Sequence, residues 1–206
     1  MSILESIILF GTMVFLAAIP STSVAVVITR SAAHGIVDGV FVALGIVSAD
    51  LVFVMLAILG LSAFAESMGS LFMVVKYLGA AYLLWFGFVL LKAKNTPVRP
   101  AIKLIKKGNL FVSFLAGFAL TLGDIKAIFF YASFLPIFID INSLQTLDVL
   151  IIALITLLSV GGVKLGYAVL ANNISASLMD YKYKKMANKL AGGFMLGAGS
   201  YIIAKA

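Results

Sequence analysis

The chain has 206 residues, of which 63% are hydrophobic and only 11% charged, and its mean hydropathy is +1.18. A soluble domain is about 45–50% apolar and about 25% charged, so this composition excludes an ordinary water-soluble fold and defines an integral membrane protein. The net charge of +7 invites a nucleic-acid reading, which the placement of the charges argues against. The sequence contains no cysteine, which excludes thiol redox chemistry and thiolate metal sites.

In chain order, six segments are apolar over the roughly 20 residues that a bilayer crossing needs. They are residues 5–29, 36–61, 70–91, 110–139, 144–171 and 189–205. The N-terminus lacks a basic n-region and a clear cleavage site, and reads as a retained first helix. The longest connections are residues 92–109, with Pro97 and Pro100, and 172–188. Expected is a single all-α, polytopic domain over 1–206, with halves at about 1–94 and 108–206.

The first and fourth segments are interrupted by polar, helix-breaking residues. The first reads Phe15-Leu-Ala-Ala-Ile-Pro20-Ser-Thr-Ser23, and the fourth reads Phe118-Ala-Leu-Thr-Leu-Gly123-Asp-Ile-Lys126. A shift of 103 residues lays Phe15 on Phe118 and Pro20 on Gly123. Lipid tolerates broken backbone only where protein buries it or where it lines a water-filled cavity. Paired interruptions in corresponding positions of two halves point to a transporter's binding site. The third and sixth segments align at an offset of 112, Leu78-Gly-Ala-Ala-Tyr82 on Leu190-Ala-Gly-Gly-Phe194. The second and fifth align more weakly, Asp38 falling on Asp148. Three crossings per half is an odd number, so the expected plan is a 3+3 inverted repeat with broken first and fourth helices.

Basic residues set the orientation. Arg30 falls in the first connection. Lys92, Lys94, Arg99, Lys103, Lys106 and Lys107 fall in the third. Lys182, Lys184, Lys185 and Lys189 fall in or beside the fifth, and only Lys205 lies on the other side, giving 11 against 1. Both termini are therefore expected outside, and the basic loop 92–109 inside. The basic runs read as topology signals and lipid-headgroup contacts, with no nucleic-acid partner.

With that topology, the half-helices starting near Pro20 and Gly123 aim their N-termini at each other in mid-membrane. Helix N-termini carry unpaired N–H groups and partial positive charge, a receptor for a carboxylate. Ser21, Thr22 and Ser23 are suitable caps for the first, and Asp124 for the second. Five ionisable residues fall within the segments: Asp50, Lys76, Asp124, Lys126 and Lys164. Such groups are costly in lipid and are expected to face the bundle interior and to pair. Lys164, after Gly161-Gly162, is a counter-ion for Asp50 or Asp124, or part of a purely structural pair. Lys76 snorkels outward or gates. His34, the only histidine, sits beside Gly35 in a short inner loop and reads as a surface residue.

Pro20 with its small polar followers, Gly35-Ile-Val-Asp-Gly39 and Tyr77-Leu-Gly-Ala-Ala-Tyr-Leu-Leu-Trp-Phe-Gly87 form one set of motifs. Gly117-Phe, Lys126-Ala127 and Phe134-Leu-Pro136 form another. With them, nearly the whole chain resembles the LysE/RhtB family of bacterial amino-acid exporters. Many members carry Pro-Gly-Pro where this chain has Pro20-Ser21-Thr22, and Asn-Pro-Lys-Ala where it has Gly123-Asp-Ile-Lys126-Ala127. Both differences fall at the expected site and bear on the substrate.

The resemblance implies a secondary-active, proton-coupled exporter of a small amino acid or related metabolite in a bacterial inner membrane. The alternative is a divalent metal-ion exporter of the same superfamily. The expected substrate-binding residues are Pro20, Ser21, Thr22, Ser23, Gly123, Asp124 and Lys126, and those for proton or ion coupling are Asp50, Asp124 and Lys164. No resident metal, cofactor or enzymatic activity is expected. Partners are the small-molecule substrate, protons and membrane lipids, and a homo-oligomer is compatible with the sequence.

Overall fold

The computed structural model describes residues 2–65, 109–124 and 145–174 as continuous stretches. Isolated helical positions are added between 81 and 92, 127 and 135, and 186 and 200. All regular structure among the described residues is helical. The third and sixth expected crossings, the basic loop 92–109, Lys76 and Lys126 lie largely or wholly outside them.

Helix α1 (Ile3–Ala18) opens with a capping box in which Ser2 and Glu5 satisfy each other's backbone N–H groups. It stops before Pro20. Proline disfavours helical geometry at the residue ahead of it, and Ile19 is extended (φ −63°, ψ 126°). Helix α2 (Thr22–His34) starts immediately after, bent 63° from α1. The pair together is long and apolar enough for one crossing.

Gly35 alone joins α2 to α3 (Ile36–Ala65). Its φ of +99° is open to glycine and strained for a residue with a Cβ. Ile36–Gly60 of α3 is long and apolar enough to cross a bilayer. Asn109 caps α4 (Leu110–Leu122) by accepting from the N–H groups of Phe111 and Val112. Thirteen residues reach only about 20 Å, short of a hydrocarbon core of about 30 Å. Gly123 ends the helix, and the Ile128 N–H donating to the Asp124 carbonyl starts the next turn.

Helix α5 (Thr146–Thr156), a π-helical segment (Leu157–Gly161) and α6 (Gly162–Ile174) form one rod, of which Thr146–Ala171 is long enough to cross. Its buried residues include Ile152, Thr156, Val160, Lys164 and Ala168, one in every four. At 3.6 residues per turn that spacing drifts by about 40° per step. The wider π turn absorbs the drift, so Thr156 and Lys164 both face the interior.

The core has two main parts. Leu9, Met13 and Ile19 pack with Val54, Phe130, Leu135 and Ile152. Val26, Val27 and Val42 pack with Ile46, Val160 and Ala168. Between α3 and α4 the backbones themselves touch. A Cβ on Gly45 would collide with the Phe114 carbonyl, and one on Gly117 with that of Val42. Small residues permit this approach in membranes. A buried bond from the Ser113 hydroxyl to Asp38 (2.6 Å) ties the same two helices. Large apolar side chains such as Leu56, Leu59, Leu150 and Leu154 lie exposed, as lipid-facing positions do.

Two sequence expectations are corrected here. The charge pattern puts Arg30 in the first connection, and the neighbouring Gly35 puts His34 in a surface loop. Both lie in α2, which runs to Gly35 without a break. Arg30 is only 1% exposed and, among the described residues, neither terminal guanidinium nitrogen has a hydrogen-bond partner; His34 is half-buried, its Nδ1 likewise without a partner among them.

Gly117→Val is expected to cost at least the roughly 3 kcal/mol at the upper end of over-packing, because backbone must move. Gly166→Ala, which meets no atom within 4 Å, is expected to be neutral; thermal unfolding in detergent compares the two. Arg30→Met should leave the unfolding midpoint unchanged or raise it, since an unpaired buried charge is replaced by an apolar side chain of similar length.

Candidate functional site

The Pro20 break removes bonds that a continuous helix would make. Pro20 has no N–H to give, and the carbonyls of Ala17 and Ala18 lose their partners in the next turn. In a low-dielectric interior each such group is costly. Helix α6 supplies replacements from two residues on one face: Lys164 Nζ donates to the Ala17 carbonyl (3.0 Å) and Tyr167 Oη to that of Ala18 (2.8 Å).

Lys164 Nζ also donates to Ser23 Oγ (3.2 Å), which is hydrogen-bonded to Ser21 Oγ (2.9 Å). The two serines are thus linked to the lysine. Ser21 occupies the N-cap position of α2, yet its side chain makes no capping bond. This departs from the expected capping role, and the reason is competition: the hydroxyl is held by its neighbour.

These groups open on a cavity of about 80 Å³, room for several waters when one needs about 10–15 Å³ by the same measure. Ser21, Ser23 and Lys164 line it together with Asp50, Thr121 and Asp124. Met13, Ile46, Phe130 and Val160 add apolar wall. The cavity therefore lies between the two breaks. Asp50 is buried on α3, and Tyr131 is buried beside it on the wall of the same cavity. Both Asp50 and Asp124 interact electrostatically with Lys164, although the hydrogen bonds of the lysine go to Ala17 and Ser23. Among the described residues, Thr121 Oγ1 is buried without a hydrogen-bond partner.

The structure thus brings Ser21, Ser23, Asp50, Asp124 and Lys164 to one cavity. Pro20 and Gly123 shape its edges without lining it, and Thr22 is exposed. Lys126 lies outside the described residues. Tyr131, Tyr167 and the π-helical segment were missed in the sequence. Each tyrosine offered one signal, a polar tip in an apolar run that needs a partner when buried. The paired Gly161-Gly162 was the only hint of the π turn.

Broken apolar helices around a buried, charged cavity define a membrane transporter. The model of the LysE type translocator family matches residues 14–206, and this chain belongs to that family. It is 40% identical over 195 residues to a membrane protein of Synechocystis sp., covering 95% of this chain and 93% of that protein. It is 29% identical over 194 residues to a leucine efflux protein of Klebsiella pneumoniae, covering 89% and 87%. A leucine efflux protein of Salmonella typhimurium is 30% identical over 188 residues, with the same coverage. No solved structure matches the chain.

Tyr167→Phe would orphan the Ala18 carbonyl. It is expected to cost about 1–3 kcal/mol, read as a lower unfolding midpoint in detergent.

Proposed function

We propose that this chain is a secondary-active, proton-coupled exporter of a small aliphatic amino acid, residing in a bacterial inner membrane as a 3+3 inverted repeat with both termini outside. The observation that carries the reading is the cavity between the two helix breaks, lined among the described residues by Asp50, Asp124, Lys164 and an apolar wall. The substrate carboxylate is received at the N-terminal turn of α2 and at the turn that follows Asp124, where helix ends present N–H groups. The ammonium is held by Asp50 or Asp124. Protonation of these acids during alternating access releases it. The side chain lies against Met13, Ile46, Phe130 and Val160. The leucine efflux proteins among the relatives support a branched aliphatic substrate.

Divalent cation export is the other reading of the same cavity. Hard cations take several oxygen ligands, and the ammonium of Lys164 opposes a second positive charge beside it. No group of three or more His, Cys, Asp or Glu residues is found among the described residues.

Proteoliposomes with an imposed pH gradient test the proposal. Labelled leucine is expected to move in counterflow with a rate set by the gradient. Asp50→Asn and Asp124→Asn are each expected to reduce it about 10- to 100-fold, the equivalent of one hydrogen bond to a charged group. Mn²⁺ flux without leucine movement would transfer both carboxylates to cation binding. Unchanged flux and pH dependence in both variants would remove them from the mechanism.

A further inference from the structure

We infer that the ammonium of Lys164 is a tethered cation occupying a built-in monovalent-cation site, and that removing the side chain opens this site to Na⁺ or K⁺. The inference concerns the cavity described above, and its test uses no transport.

The site is made by the Pro20 break. A helix that ends inside the membrane leaves carbonyls with partial negative charge at its C-terminus. In transporters with discontinuous helices, such ends and the adjoining unwound backbone coordinate the coupling cation. Here the Ala17 carbonyl at the end of α1 is met by Nζ at 3.0 Å, and Ser23 Oγ by the same atom at 3.2 Å. Both are hard oxygen donors. Ser21 Oγ stands behind Ser23 at 2.9 Å. The cavity adds negative charge from Asp50 on α3 and Asp124 after α4.

Three features make the ammonium an occupant of this place. Lys164 is 3% exposed, so its charge is not shared with bulk water. Two of its three donors are committed to the break. Tyr167 fills the next carbonyl, Ala18, which confines the cation to Ala17 and Ser23. The π-helical turn just before Lys164 aims the side chain there.

The wild-type protein is therefore expected to need no inorganic monovalent cation for stability, because the lysine supplies the charge. Lys164→Ala vacates a pocket with carbonyl, hydroxyl and carboxylate oxygens. Lys164→Ser vacates it and adds one hydroxyl ligand.

The test purifies wild-type protein and both variants side by side in NaCl, KCl or choline chloride at equal ionic strength. Melting temperature is then followed as each salt replaces choline. Expected are a flat response for wild type and a saturable rise of several degrees for both variants with Na⁺ or K⁺, larger for Lys164→Ser. Recovery of a variant as a monodisperse species only in Na⁺ or K⁺ is the same result in another form. Variants that behave identically in all three salts, or that fail to fold in all three, overturn the inference. So does a wild-type protein stabilised by Na⁺ or K⁺ as much as the variants. Absence of leucine counterflow in the wild-type protein, measured separately, together with cation stabilisation of the variants, would defeat the export reading and leave the cation site standing.

Discussion

The need to satisfy two backbone carbonyls governs this structure. Pro20 ends α1 inside an apolar environment, where the carbonyls that the helix gives up need partners from the protein. Lys164 and Tyr167 meet the carbonyls of Ala17 and Ala18. That requirement fixes α6 against the α1–α2 break, calls for the π turn that aims Lys164, and brings a charge to mid-helix. Once a lysine is buried there, nearby acids become favourable, and Asp50 and Asp124 share its cavity. The polar site follows from the broken helix.

The remaining helices keep that site in place. The contact of α3 with α4 at Gly45 and Gly117 leaves little freedom for sliding, and the Ser113–Asp38 bond fixes its register. Asp50 lies further along the same α3, and Thr121 and Asp124 close α4. A rigid crossing on one side thus faces a polar joint on the other. Site geometry depends on both, which is why a change such as Gly117→Val acts on the cavity through a helix that only partly lines it.

Much of this was legible in the sequence because lipid makes polar groups conspicuous. Pro20 and Gly123 stood out as helix breakers in apolar runs, and Asp50, Asp124 and Lys164 as charges with nowhere to go except inward. What was not legible depends on three-dimensional partners. No spacing rule states that Lys164 would bond a carbonyl and a serine in preference to a carboxylate. The engagement of Ser21 by Ser23 in place of capping is decided by a neighbour two residues away and a helix over a hundred residues on. Tyr131 follows Phe129 and Phe130, and nothing in the sequence beyond its hydroxyl separates its role from theirs. Arg30 looked like the end of a crossing because its charge suggested water, while α2 runs on to His34.

Gly35 gives the molecule a mechanical property. A single residue links α2 to α3, and a residue contributes only two soft torsions. Those at Gly35 are set by an unusual backbone conformation (φ +99°, ψ 165°). Such a joint has no slack. Displacement of α2 is handed directly to the first turn of α3, and from there, through Asp38 and Ser113, to α4. The Pro20 break and the α3–α4 contact are thus tied through one residue and one buried hydrogen bond.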